Sequence, residues 1–133
     1  MDAAASRPLA QLLAWGRVGI GTGAIVAPTL MARPWIGAGA GDPGSRLLAR
    51  AMGGRDLALG FGALRALGVS DAEARPWVAL GGMADAVDAV ATLLAFGTLP
   101  RRTRWGILAV TVGAAVASTR VAEALDATGL PPA

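Results

Sequence analysis

The stretch Gly81-Gly-Met-Ala-Asp-Ala-Val-Asp-Ala-Val-Ala91 places two aspartates among small apolar residues. On a helix, Asp85 and Asp88 share a face, because residues three apart are neighbours on the helix surface. The segment from Pro76 to Gly97 has about 22 residues and would form a helix roughly 33 Å long, enough to cross the hydrocarbon core of a bilayer. Carboxylates at that depth must be paired, protonated or hydrated, so we expect the other helices to be arranged around them.

The composition of the whole chain favours an integral membrane protein. Hydrophobic residues make up 54% of the 133 positions and charged residues 16%, against about a quarter charged in ordinary soluble domains. The mean hydropathy of +0.54 points the same way. Because a chain of this length has room for one domain, we expect a single transmembrane domain over residues 1–133.

The chain lacks two residue types that catalytic and metal sites commonly use. It has no Cys and no His, which excludes disulfides, thiol nucleophiles, Cys/His zinc sites and haem held by His, and removes the usual general base. We therefore expect no enzymatic activity and no cofactor. The pI near 11.3 does not indicate nucleic-acid binding, because the arginines form no stripe with interleaved aromatic residues.

Four apolar segments predict an all-α fold, a four-helix transmembrane bundle with helices over residues 9–31, 46–68, 76–97 and 105–125. A Gly- and Pro-rich connector, a polar turn over residues 69–75 and a basic loop separate them. The first and third connections carry most of the arginines, which places them on the cytoplasmic side and both termini outside. These arginines are Arg33, Arg46, Arg101, Arg102 and Arg104, against Arg7 and Arg75 on the opposite side.

Six charged residues lie well inside the predicted helices, and their charges sum to zero. An unpaired charge at the bilayer centre costs roughly 2.5–3.5 kcal/mol, so we predict a neutral network in the bundle interior. Counting residues from the helix ends places three of them at one level and three at a second. In this prediction Arg17 and Arg120 flank Asp85, while Arg55 lies near Asp88. The six are Arg17, Arg55, Asp56, Asp85, Asp88 and Arg120.

Small residues indicate where the helices approach each other closely. Gly19 and Gly23 form a G-x-x-x-G pair on the first predicted helix, a spacing that lets backbones pack tightly in lipid. Gly53 and Gly60 share a face of the second predicted helix with Asp56. We expect these four glycines to lie at helix contacts.

Two interpretations of the charged cluster stay open at this stage. It is either a polar clamp that fixes helix register, which its neutrality favours, or a small polar cavity for an ion, proton or solute. Enzyme interpretations fit less well. Asp85-x-x-Asp88 has the spacing of magnesium-diphosphate motifs in membrane prenyltransferases, but four short helices cannot enclose the cavity these need. A proteolytic dyad of Asp56 and Asp88 lacks the glycine-flanked motif.

Three stretches carry a resemblance to a known family type: Arg17-Val-Gly-Ile-Gly with the later Ala27-Pro28, Ala51-Met-Gly-Gly-Arg-Asp-Leu-Ala-Leu-Gly, and Ala84-Asp-Ala-Val-Asp88. Over these, the chain resembles small four-helix membrane proteins of actinobacterial type with a DoxX-like layout. The resemblance implies a bundle in the bacterial cytoplasmic membrane and no assigned activity. We therefore expect an accessory or structural bundle, alone or in a homo-oligomer or larger membrane complex. The alternatives are a proton-linked carrier or binder of an ion or small solute, and a soluble helical bundle.

Overall fold

The computed structural model describes residues 3–127, and every regular element in that range is helical. The all-α class is therefore confirmed, but the structure has five α-helices where the sequence predicts four. A short 3-10 segment, Gly37–Gly41, follows the second helix. The helices are α1 (Ala3–Val26), α2 (Pro28–Ile36), α3 (Pro43–Leu67), α4 (Asp71–Leu94) and α5 (Arg104–Ala127).

The first predicted helix, over residues 9–31, is divided in two at Ala27. Pro28 has no backbone N–H and takes the first position of α2, where a helix needs no donor. Ala27 leaves the helical conformation, with φ −128° and ψ 60°. The chain bends there, so that Met31 lies against Gly23. A proline inside an apolar run thus separates a long helix from a short one.

Most of the predicted polar turn over residues 69–75 is helical, because residues 71–75 form the start of α4. Ser70 is the N-cap, and its hydroxyl accepts a hydrogen bond from the backbone N–H of Glu73 at 3.1 Å. This side chain satisfies one of the free N–H groups at the helix start. The helix therefore begins at Asp71, five residues before Pro76.

The four long helices pack in a ring in the order α1, α3, α4 and α5, with α5 returning to α1. Neighbouring helices are antiparallel: Gly21 of α1 lies against Gly53 of α3, and Ala14 lies further along against Gly60. One end of the bundle therefore holds the first residues of α1 and α4, and we call it the N-terminal end. We call the opposite end the α2 end.

Two hydrogen bonds between residues far apart in the sequence hold α2 at the α2 end. The indole N–H of Trp35 donates to the hydroxyl of Thr92 at 3.2 Å. The hydroxyl of Thr103 donates to the carbonyl of Pro34. The helix thus lies against the last turn of α4 and the connection to α5, and it closes the end of the ring.

Small side chains fill the interior, and large apolar side chains lie outside. The central cluster contains six alanines, with only Leu67, Val78, Val121 and Leu125 as larger members. By contrast, Leu94 is 86% exposed and many other large apolar residues are exposed along the helices. This distribution is typical of helices that pack through small residues and turn their bulky side chains towards lipid.

Three helices of the described chain are long and apolar enough to cross a membrane, judged by length and composition. They are α1 over Ala5–Val26, α4 over Asp71–Leu94 and α5 over Arg104–Leu125. The fourth long helix, α3, is not among them. It carries Arg46, Arg50, Arg55, Asp56 and Arg65, which lower its mean hydropathy.

Candidate functional site

The structure brings five of the six predicted charged residues together in one chain of ion pairs. The chain runs Asp85–Arg17–Asp56–Arg55–Asp88, so that carboxylates and guanidinium groups alternate. Arg17 belongs to α1, Arg55 and Asp56 to α3, and the two end carboxylates to α4. We call these five residues the ion-pair chain. It connects three of the four long helices.

Arg17 bridges α4 and α3 with its two terminal nitrogens. One forms an ion pair with Oδ2 of Asp85, and the other lies 3.4 Å from Oδ1 of Asp56. The guanidinium group lies over Gly81, where a Cβ atom would be only 2.7 Å from Nε of Arg17. Because Gly81 and Asp85 are four residues apart, they share a helix face, and the glycine leaves the space that the arginine occupies.

Arg55 holds Asp88 with two parallel hydrogen bonds, of 3.0 Å from Nη1 to Oδ1 and 2.8 Å from Nη2 to Oδ2. Its Nε and Nη2 also donate to Oδ1 of the adjacent Asp56, at 3.3 and 3.1 Å. Asp56 therefore accepts hydrogen bonds from both arginines. Paired donation from a planar guanidinium fixes the orientation of both groups, as a single contact cannot.

The ion-pair chain is largely shielded from the surroundings. The side chains of Arg17 and Asp56 are 12% exposed, and those of Asp85 and Asp88 are 13% exposed. Arg55 is the most accessible member, at 32%. Removing one partner of such a buried pair leaves an uncompensated charge, which makes the loss far larger than at the protein surface.

The ion-pair chain carries a formal charge of −1, because it contains three aspartates and two arginines. The sequence predicts a neutral network, and that prediction is wrong. The prediction counted Arg120 as the third cation, and the structure places this residue elsewhere.

Arg120 lies on the outside of the bundle and does not flank Asp85. Its side chain is 74% exposed and forms an ion pair of 3.8 Å with Glu123 on the same helix. The inward face of α5 is formed by Ser118, Val121 and Leu125, at the three- and four-residue intervals of a helical stripe. Arg120 lies two residues after Ser118 and therefore points away. Counting residues from a helix end gives the depth of a side chain but not its face.

The four predicted packing glycines have different surroundings. A Cβ atom on Gly53 would lie 2.7 Å from the carbonyl oxygen of Gly21, and one on Gly60 would lie 2.8 Å from that of Ala14. Both glycines therefore allow α1 and α3 to pack backbone to backbone. Gly23 lies against Met31 of α2, whereas Gly19 is exposed with nothing within 4 Å of its Cβ position. The expectation that Gly19 packs against a helix of this chain is wrong.

Sequence reasoning missed the roles of Gly21 and Gly81. Gly21 lies at the closest approach of α1 and α3, where a Cβ atom would be 2.6 Å from the carbonyl oxygen of Gly53. The sequence pattern that indicates this role is a stripe of small residues on one helix face, Ala10, Ala14 and Gly21, spaced by four and seven residues. Gly81 stood in the quoted stretch, one turn before Asp85.

A cavity of about 10 Å³ lies beside Arg17, lined also by Ala14, Ala63, Val78 and Ser118. Such a volume has room for about one water molecule. Among the side chains described, those of residues 5–125, no three acidic groups converge as they would around a metal ion. Guanidinium groups separate the carboxylates of the ion-pair chain instead. The arrangement can hold helices together and bind a proton or a water, but this one cavity beside Arg17 is too small for a solute.

Comparison with protein-family models, curated proteins and solved structures finds no match to this chain. The resemblance to DoxX-like bundles stays a prediction from the sequence.

Proposed function

We propose that this protein is a small polytopic membrane protein without enzymatic activity, in which the ion-pair chain fixes the register of the helices. In this proposal α1, α3, α4 and α5 cross the bilayer as a four-helix bundle. The bundle acts as an accessory or structural protein, alone or within a homo-oligomer or larger membrane complex. The observation that carries the proposal is the ion-pair chain, which connects three helices through buried contacts.

The distribution of charge along α3 supports its placement in the bilayer despite its low hydropathy. Arg46 and Arg50 lie within its first eight residues and Arg65 in its last turn, near the helix ends, where long side chains reach the membrane surface. Only Arg55 and Asp56 lie at its centre, and both have partners on neighbouring helices. Hydropathy counts these two charges as a penalty, but their ion pairs compensate for it.

The orientation follows from the arginines. The α2 end holds more arginines than the N-terminal end, and an excess of arginine marks the cytoplasmic side of a membrane protein. We therefore propose a location in the bacterial cytoplasmic membrane with α2 on the cytoplasmic side and both termini outside.

Two cysteine substitutions test whether α3 crosses the membrane. The chain has no cysteine, so single cysteines at Gly41 and Val69 are the only targets for a thiol reagent. Both positions are exposed and flank α3. In intact cells, we expect a membrane-impermeant reagent to label Val69→Cys and not Gly41→Cys. Equal labelling of both would place the two ends of α3 on the same side and contradict the four-helix bundle.

The clamp is tested by a double-mutant cycle on Arg55 and Asp88. If the pair holds α3 to α4, Arg55→Gln lowers the melting temperature in detergent more in the wild type than in the Asp88→Asn variant. Additive losses would mean that the two side chains do not act through each other. Arg120→Gln and Glu123→Gln, on the exposed pair, form the matched control cycle.

A second candidate function, proton-linked binding of an ion or small solute, is favoured by the charge of the ion-pair chain. A net negative charge inside a membrane bundle is costly, and a proton neutralises it without requiring space. The charged groups around Asp85 are Arg17 from α1, Asp56 from α3 and Asp88 on its own helix. In the described part of α5, up to residue 125, the buried residues are Thr111, Ser118, Val121, Ala122 and Leu125, none of them charged.

The proton-linked candidate predicts a pH-dependent difference between wild type and Asp85→Asn. A protonated aspartate and an asparagine are both neutral, so their melting temperatures in detergent should converge between about pH 8 and about pH 5. A difference that stays constant over this range would count against a bound proton. Asp42→Asn, at an exposed position before α3, is the control for general effects of pH.

A further inference from the structure

The arginines of this protein differ in their partners according to their position. In the interior, Arg17 and Arg55 have carboxylate partners. Towards the N-terminal end, Arg7 pairs with Asp71 and Arg120 with Glu123. At the α2 end, five exposed arginines have no carboxylate partner among the described residues. They are Arg33, Arg46, Arg50, Arg101 and Arg102, and we call them the basic end.

Contacts between their helices bring these arginines to one end of the bundle. The Nε of Arg50 donates to the carbonyl of Ile25, the second-last residue of α1, at 3.2 Å. Gly37, directly after α2, lies against Pro100, with its Cβ position 3.0 Å from the proline ring. Arg33 on α2 and Arg101 next to Pro100 therefore lie at the same end as the first turns of α3.

The charge at this end is strongly unbalanced. Arg104 adds a sixth arginine at the start of α5, and its guanidinium lies 4.5 Å from the centre of the Phe96 ring. In the sequence that forms this end, residues 28–50 and 95–104, the single acidic residue is Asp42. Like charges held together without counter-charges repel one another, so the binding of an anion at this end is favourable.

Exposed apolar side chains accompany the arginines. On α2, Leu30 is 70% exposed and Ile36 is 39% exposed, while Arg33 on the same short helix is also exposed. A helix that presents both kinds of side chain fits the boundary between lipid headgroups and acyl chains. A small anion dissolved in water would cover the arginines but would leave Leu30 and Ile36 without an apolar partner.

We propose that the basic end is a docking surface for the headgroups of anionic phospholipids in the leaflet that it faces. Guanidinium groups donate paired hydrogen bonds to phosphate oxygens. In a zwitterionic lipid, the headgroup's own ammonium offsets the phosphate, whereas an anionic lipid leaves a net negative charge for the arginines. The inference rests on the proposed function, because this surface meets lipid headgroups only if the bundle crosses a bilayer.

The experiment uses the full chain reconstituted in bilayers of equal parts phosphatidylcholine and phosphatidylglycerol. Electron paramagnetic resonance of spin-labelled lipids gives the binding constant of phosphatidylglycerol at the protein surface relative to that of phosphatidylcholine. We expect wild type to prefer phosphatidylglycerol by about five-fold, the equivalent of about 1 kcal/mol for one arginine near a charged headgroup. The preference should fall as salt is added, because salt screens exposed charges.

The test variant is the triple substitution Arg33→Gln, Arg101→Gln and Arg102→Gln, and we expect it to lose the preference. Arg65→Gln, an exposed arginine at the N-terminal end, is the matched control and should keep it. Circular dichroism checks that the variants retain wild-type helicity. If the triple variant is misfolded, the single variants Arg33→Gln, Arg101→Gln and Arg102→Gln replace it, and each should reduce the preference.

Two results would overturn the inference in different ways. Equal binding of both lipids by wild type, or an unchanged preference in the triple variant, would refute the docking surface while leaving the membrane bundle intact. Failure of the protein to enter bilayers either of phosphatidylcholine alone or of the mixture would refute the proposed function and this inference with it.

Discussion

The ion-pair chain and the basic end use arginine in opposite ways. In the ion-pair chain, Arg17 and Arg55 are shared among three carboxylates, so the interior has one negative charge in excess. At the basic end the arginines are exposed and far outnumber the acidic residues. The two regions therefore have different roles. Charges in the interior hold the helices of the protein to one another, and charges at the basic end interact with groups outside the protein.

Arg17→Gln should have the largest effect on stability. The substitution removes the guanidinium that pairs with both Asp85 and Asp56, and it leaves three carboxylates with one arginine. Breaking a buried ion pair in this way lowers the free energy of unfolding by about 3–5 kcal/mol. Denaturant unfolding in detergent measures the loss. Arg120→Gln, on the exposed side of α5, is the control and should unfold like wild type. Similar losses in the two variants would remove the distinction between interior and surface arginines.

Gly21→Ala should have an intermediate effect, because the ion-pair chain requires α1 and α3 to lie close together. The added methyl group would lie 2.6 Å from the carbonyl oxygen of Gly53 and force the helices apart. Overpacking of this kind typically costs about 1–3 kcal/mol. Gly19→Ala, two residues earlier and with open space at its Cβ position, should raise the free energy of unfolding by about 0.5–1 kcal/mol. Thermal melts of both variants in one detergent make the comparison, and a stable Gly21→Ala protein would contradict the close approach.

The smallest effect is expected at the basic end. In a detergent without anionic lipid, the triple substitution Arg33→Gln, Arg101→Gln and Arg102→Gln should change the free energy of unfolding by no more than about 0.5 kcal/mol. These side chains have no carboxylate partner in the described part of the chain, so no ion pair is lost with them. A large loss of stability would mean that they hold the fold together, and the contrast with the interior would fail.

The sequence predicted the helical class and two of the ion pairs, because helix length and position along a helix follow from local pattern. Apolar length identified α1, α4 and α5, and counting along the helices placed Arg17 near Asp85 and Arg55 near Asp88, as the structure has them. Whether Pro28 bends a helix or divides it depends on contacts made far away in the chain, such as that of Trp35 with Thr92. No local pattern contains that information.

Other features could have been predicted from the sequence and were missed. Ser70 and Glu73 form the Ser-x-x-Glu signature of a helix start, and the structure begins α4 there. For Arg120, the pattern of α5 indicates an outward position. Ser118, Val121 and Leu125 recur at helical spacing on one face, and position 120 does not lie on that face. The error mattered chemically, since it turned a charge of −1 into an apparent neutrality.

The most direct test compares Arg17→Gln with Asp85→Asn, two substitutions that break the same buried ion pair. If the pair contributed only its own contact, both variants would lose similar stability. Because the ion-pair chain has one negative charge in excess, we predict that Asp85→Asn unfolds at or above the wild-type denaturant midpoint. In the same detergent, Arg17→Gln should lose about 3–5 kcal/mol. Equal losses in the two variants, or a larger loss in Asp85→Asn, would contradict the account.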